Sequence, residues 1–330
     1  MYRLALAAFV AVAALGSVAA APGDKPLMEH VQTIPLDGVE GRFDHFGVDA
    51  EGKRLYLAAL GNNTLEAVDL DAGKRVQSVG GLKKPTGIRV LPGSRRLVVA
   101  SGDDGRVRVF DPDLKRVGTV NDLDDADNVR LDPQGKLAYV GYGDGAIAVI
   151  DPQQPKKVGE VRLDGHPEAF QLESGGNRIF VNVPTADQVA VIDRQNLAVV
   201  AKWPVREARS NFPMALDEAN HRLFVGCRKP AKVLVLNTET GKTVATVDCC
   251  GDTDDLFYDP GSKRLYVTGG EGCISVIEQA DPDHYRLLGN VPTAPGARTS
   301  LFVPELGLLY VAFPHRGNRP AELRVFKPRE

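Results

Sequence analysis

The sequence predicts an all-β protein: a seven-bladed β-propeller of four-stranded antiparallel blades, its last blade closed by the N-terminal strand. Three observations predict it. An apolar anchor motif recurs through the chain at steps of about 41–44 residues, the period of a four-stranded blade. Each unit repeats one alternation of short apolar strands and tight turns. The last unit ends one strand short, while a spare strand precedes the first.

Taken in order, the anchors are Leu55-Tyr56-Leu57, Leu97-Val98-Val99, Ala138-Tyr139-Val140, Ile179-Phe180-Val181, Leu223-Phe224-Val225, Leu265-Tyr266-Val267 and Leu309-Tyr310-Val311. A turn such as Asp132-Pro133-Gln134-Gly135-Lys136 or Asp259-Pro260-Gly261-Ser262-Lys263 precedes the anchor, and a short inner strand such as Val129-Arg130-Leu131 precedes the turn. An alternating third strand follows, as in Ile147-Ala148-Val149-Ile150 or Val233-Leu234-Val235-Leu236. A second turn then leads to an outer strand. Asp, Gly and Pro suit these turns because Asp caps backbone N–H groups, Gly supplies positive φ and Pro presets it. Strand Glu322-Leu323-Arg324-Val325-Phe326 ends the seventh unit, and His30-Val31-Gln32-Thr33-Ile34-Pro35-Leu36 is left to pair with it. That pairing removes the open edges of a broken ring.

The chain has 330 residues, with 40 Lys+Arg against 43 Asp+Glu, a net charge of −3 that argues against a nucleic-acid footprint. Its 34 Gly and 22 Pro fit many short strands and turns. The start reads differently. Met1-Tyr2-Arg3, an apolar run from Leu4 to Leu15 and small residues through Ala21 read as a secretory signal peptide over residues 1–20. Residues 21–330 then form a single propeller domain, periplasmic or secreted, with no transmembrane span in the mature chain.

Tyr266-Val267-Thr268-Gly269, with the third-strand endings Val149-Ile150-Asp151 and Val191-Ile192-Asp193, resembles the YVTN-repeat (YncE-like) family of bacterial propellers. The resemblance covers residues from about 30 to 327 and is specific for architecture, since these motifs are core and turn residues; what it implies for function is an exported binding or accessory protein, as most members resembling it are. The Trp-Asp pairs of WD propellers are absent, and a single Trp203 departs from the repeated Trp motifs of quinoprotein dehydrogenases.

Aligning the units places the residues ahead of each inner strand around one mouth of the channel. The ligand-binding candidates there are Asp44, His45, Asp127, Asn128, His166, Glu168, Phe212, Asp254, Asp255, Arg298 and Thr299. Loops between second and third strands add Asn62-Asn63, Asp103-Asp104, Asp144, Arg228-Lys229, Glu271 and His315-Arg316 on the same face. Clustered carboxylates repel unless a cation or nearby Arg and His relieve them. Oxygen donors would suit calcium, and His45 and His166 beside carboxylates would suit zinc. Asp capping a turn, with His as its structural partner, is the plainer alternative.

Cys227, Cys249, Cys250 and Cys273 are disulfide candidates with three open connectivities, a vicinal Cys249–Cys250 bond among them. Free thiols and a soft-metal thiolate site are the other readings. No Gly-x-Ser-x-Gly, His-Glu-x-x-His or P-loop is present, so no catalytic residue is named.

The expected function is a periplasmic binding or accessory protein that holds a small polar ligand, or an envelope partner protein, at the acidic mouth. A metal-dependent hydrolase or lactonase, with Glu168, Asn128 and Asp254 at the metal, is the alternative. A protein–protein scaffold in the envelope is the third reading.

Overall fold

The computed structural model describes residues 26–329, which form seven four-stranded antiparallel sheets. The sheets stand as blades around a channel. Their inner strands are Phe46–Asp49, Pro85–Val90, Val129–Leu131, Phe170–Leu172, Arg209–Asp217, Thr253–Asp259 and Ser300–Val303, in blades 1 to 7. The signal segment of residues 1–20 lies outside the described residues. Among those described, no helix is long and apolar enough to cross a membrane.

Burial across a blade explains its sequence pattern. The second strand is covered on both faces by neighbouring blades, so Leu97–Ser101 and Ala138–Tyr142 are buried throughout. Outer strands have one face in water and alternate, as Ala198–Pro204 does. The core is accordingly split into packets between blades. One packet joins Ile34, Leu36, Phe46, Leu57, Tyr310 and Leu323 where blade 7 meets blade 1.

The turn residues act as expected. Asp151 Oδ1 accepts the N–H groups of Gln153 and Gln154, and Asp193 Oδ1 those of Gln195 and Asn196. The Val-Ile-Asp endings therefore cap the turn to the outer strand.

Ring closure is as the sequence predicts. Strand Met28–Pro35 pairs antiparallel with Glu322–Pro328, setting Ile34 opposite Leu323. Leu36 N–H extends the seam to the Ala321 carbonyl at 2.9 Å.

One regularity was not legible beforehand. Every outer strand slips register at the same level, leaving one residue unmatched: Val31, Val76, Val117, Val158, Val200, Val244 or Leu288; the blade 6 pairing slips a second time between Gln279 and Asp281. The six valines are exposed. Each is a β-bulge, which locally increases twist.

Candidate functional site

The mouth is built by register. In each blade the inner-strand residue opposite the anchor points the same way as the anchor, and the position three residues earlier reaches the channel rim. Those rim positions are Asp44, Thr86, Asp127, Glu168, Phe212, Asp254 and Arg298 in blades 1 to 7. Paired backbone bonds fix them: Asp44 N–H to the Ala58 carbonyl, Asp127 N–H to Gly141 and Glu168 N–H to Asn182, each 2.9 Å. Blade 2 carries no acid here and comes in close instead. Thr86 Oγ1 donates to the Ala126 carbonyl at 2.7 Å, and a side chain on Gly87 would meet the Asp127 carbonyl oxygen at 2.2 Å.

Eight of the eleven candidates line one mouth cavity of about 130 Å³: Asp44, His45, Asp127, Asn128, Glu168, Phe212, Asp254 and Arg298. The remaining three sit differently. His166 is at the rim, its Nδ1 donating to the Gly143 carbonyl at 2.7 Å and its Nε2 lying 4.0 Å from Asp127. Asp255 turns down the channel, where it accepts the Ser300 N–H at 2.7 Å and lies 3.7 Å from His45 Nδ1. Thr299 is 3 % exposed and donates to the Phe43 carbonyl at 3.2 Å. It seals blade 7 to blade 1 and is no part of the cavity wall, because its side chain turns into the seam.

Arg42, Ala169 and Arg228 complete the wall and were not among the eleven candidates. Arg228 lies at the mouth end of the second strand of blade 5, Arg222–Lys229, paired with Ala231 beside the loop to the third strand, and the signal available was its position on the mouth face. Residues of the second-to-third-strand loops are engaged at the periphery: Asn63 accepts the Lys84 N–H at 2.9 Å, and His315 pairs with Glu40 at 2.8 Å.

His45 is the hub. Its Nε2 lies 3.6 Å from Asp44 and 3.8 Å from Asp127. Burial alone would push its pKa down, but Asp44, Asp255 and Asp127 outweigh that and hold it at about 9. Burial works the same way on His166, and Asp127 and the Gly143 carbonyl raise it to about 9. Asp127 stays below the usual carboxylate range despite burial, because both imidazoles face it. The other acids respond oppositely. Burial, with Asp127 as neighbour, lifts Asp44 to about 7 and Glu168 to about 8. Burial also raises Asp254, against the pull of Arg298 and Arg228. Burial thus makes two of the mouth carboxyls, Asp44 and Glu168, retain protons near neutral pH.

Two acceptors are left over. Asp127 Oδ1 and Asn128 Oδ1 are buried without a hydrogen-bond donor among the described residues. Asp44, His45 and Asp127 each offer a ligand atom within 4.8 Å of the others, the start of a cation site.

The cysteines require a correction. One bond forms, Cys250–Cys273, with Cα atoms 5.9 Å apart, while Cys227 and Cys249 are free. The vicinal pairing fails because adjacent residues point to different sides. Cys250 turns to the third strand of its own blade, where its N–H donates to Ser275 Oγ at 2.8 Å. Cys249 packs among apolar residues between blades 5 and 6, and Cys227 lies in the packet between blades 4 and 5. Burial pushes both thiols up to about 12.

No family model matches the chain. It is 22% identical over 254 residues to the uncharacterized protein YncE of Salmonella typhimurium, a match covering 72% of this chain and 71% of that one. The YncE of Salmonella typhi is similar to the same degree. Among solved structures, Kuenenia stuttgartiensis hydrazine synthase superposes with a TM-score of 0.75 at 18% identity, over 88% of this chain and 98% of that one. A chain of a mitotic checkpoint complex superposes at 0.78 and 14% identity, over 98% and 100%. At such identities the two structures speak to the fold alone.

Proposed function

We propose that this YncE-like bacterial β-propeller is an exported binding protein of the periplasm, holding a small polar ligand at the acidic mouth of its channel. The observation that carries the reading is the pair of donor-less acceptors, Asp127 Oδ1 and Asn128 Oδ1, beside His45. A buried acceptor without a donor costs about 1–3 kcal/mol, which a ligand N–H or a cation offsets. Proton-retaining Asp44 and Glu168 add hydrogen-bond donors for the ligand's own oxygens. The basic and apolar run from Arg3 to Leu15 supports export.

The test is calorimetric titration of mature protein with calcium, zinc and the diamine putrescine, repeated on Asp127→Asn. Binding that weakens at least ten-fold in the variant supports the mouth as the site. Equal binding by both proteins, or binding by neither, refutes it.

A metal-dependent hydrolase is the second reading, favoured by the Asp44–His45–Asp127 donor group. A cation there would polarise a carbonyl or activate water, with Glu168 beside it to move a proton. Lactone or phosphoester hydrolysis that a chelator abolishes would put this reading first.

A further inference from the structure

Below the mouth the channel changes character. It opens into a cavity of about 300 Å³ that runs from His45 down to Leu216, Tyr258 and Pro304. Its middle layer consists of inner-strand residues directly opposite the anchors. Blades 2, 3 and 4 place Arg89, Arg130 and Gln171 there, opposite Val98, Tyr139 and Phe180. Blades 5 and 6 place Ala215 and Phe257 there, opposite Phe224 and Tyr266. One arc of the layer is cationic and polar, and the other is apolar.

The two arginines lack counter-charges of their own. Arg89 Nη1 donates to the Ile88 carbonyl at 2.7 Å and to Phe46 at 3.3 Å, and Arg130 Nη1 donates to Val129 at 2.9 Å. Among the described residues neither makes an ion pair, so most of the five N–H donors on each guanidinium remain free. The carboxylates that share the cavity are already engaged. Asp254 is 3.3 Å from Arg298, and Asp255 accepts the Ser300 N–H while facing His45. Arg89 is pushed down to about 10 by burial, against the pull of Asp255, and Arg130 well below its ordinary value by burial and by Arg89 beside it, against Asp255 and Asp127. Two neighbouring cations with no carboxylate in direct contact are costly, and a bound anion relieves both.

We propose that this lower cavity binds a small organic carboxylate, its acid group on Arg89 and Arg130 and its apolar body against Ala215 and Phe257. Arginine donors match the two oxygens of a carboxylate, and the apolar arc gives no partner to the remaining oxygens of a phosphate. The cavity falls at the lower end of the range for small-molecule pockets, about 300–1,000 Å³.

The experiment is calorimetry at low salt with hexanoate, benzoate and inorganic phosphate on wild type, Arg89→Gln, Arg130→Gln and the mouth variant Glu168→Gln. The expected result is binding of the two carboxylates, weakened at least ten-fold by either arginine substitution and unaltered within about three-fold by Glu168→Gln. That last variant separates this cavity from the mouth. As a check independent of variant folding, the side-chain Nε–H signals of Arg89 and Arg130 in wild type should shift on adding hexanoate. Absence of carboxylate binding, or binding unchanged in both arginine variants, would overturn the assignment. Phosphate binding as tight as hexanoate would overturn its apolar half.

Discussion

Arg228 lies over the ring of Phe212, its guanidinium carbon 3.7 Å from the ring centroid, and from there it reaches the carboxylate of Asp254. The aromatic ring holds the cation flat while the acid fixes its direction. Removing the charge by Arg228→Ala should raise the carboxyl pKa values of Asp254 and Glu168, since Arg228 pulls both down. A carbon-detected pH titration of the two carboxyls reads this directly. Phe212→Leu should leave the cation but loosen it, costing about 0.5–1 kcal/mol in denaturant unfolding.

The mouth makes stability depend on pH. His45 and His166 have pKa values of about 9 in the fold against an ordinary 6.5, so the folded protein keeps protons that the unfolded chain releases. Their contribution is complete below pH 6.5 and disappears as pH rises through 9. Asp44 and Glu168, raised to about 7 and 8 from 3.8 and 4.5, act in the same sense across their own intervals. Asp127 is shifted the other way: its contribution is complete above its ordinary 3.8 and is lost only as pH falls below that value. Unfolding free energy should therefore fall by several kcal/mol between pH 6 and 9.5, on the order of 3 for a fully expressed histidine shift, and His45→Gln should flatten the slope. A wild type whose stability rises over that interval would contradict the charge arrangement.

The Cys250–Cys273 bond closes a short loop, its ends 23 residues apart. Reduction, or Cys250→Ser with Cys273→Ser, should lower stability by about 2–4 kcal/mol. In the native oxidised protein Cys227 and Cys249 should resist alkylation at pH 8, because burial holds both as thiols. Mass spectrometry after iodoacetamide treatment, native and then denatured, counts the labels.

Ring closure rests on a narrow seam. Ile34 is 1 % exposed between Leu323 and the blade 1 anchors, and Ile34→Ala should cost about 2–5 kcal/mol. Thr299→Val removes the hydroxyl bridge to Phe43 with little change in volume and should cost about 1 kcal/mol. Both are read by urea unfolding.

The blades were legible because the anchors Tyr56, Tyr139 and Tyr266 stand at a fixed spacing with Asp and Gly turns around them, so composition and period agreed. The mouth ring followed from that register, and Asp44, Asp127, Glu168 and Asp254 do meet. Depth was harder. Thr299 shares the period of its neighbours but turns into a seam, and nothing in a one-dimensional pattern separates a rim from a seam. Arg89 and Arg130 did leave a trace, since a cation opposite an anchor is out of place where other blades carry Ala215 or Phe257. Reading it requires knowing that the layer faces a channel and not packed side chains. Cysteine pairing depends on which way Cys249 and Cys250 point, a matter of one residue of strand register.

A propeller turns seven unpaired strand edges outward, and each is a template on which a foreign strand, or another copy, could add itself. Here every such edge carries one extra residue at the same level, from Val31 round to Leu288. An incoming straight strand would match the edge up to that residue and lose step beyond it. The repeated slip thus works as a built-in stop to fibre growth, and it lets the exposed valines stay on the surface without becoming points of polymerisation.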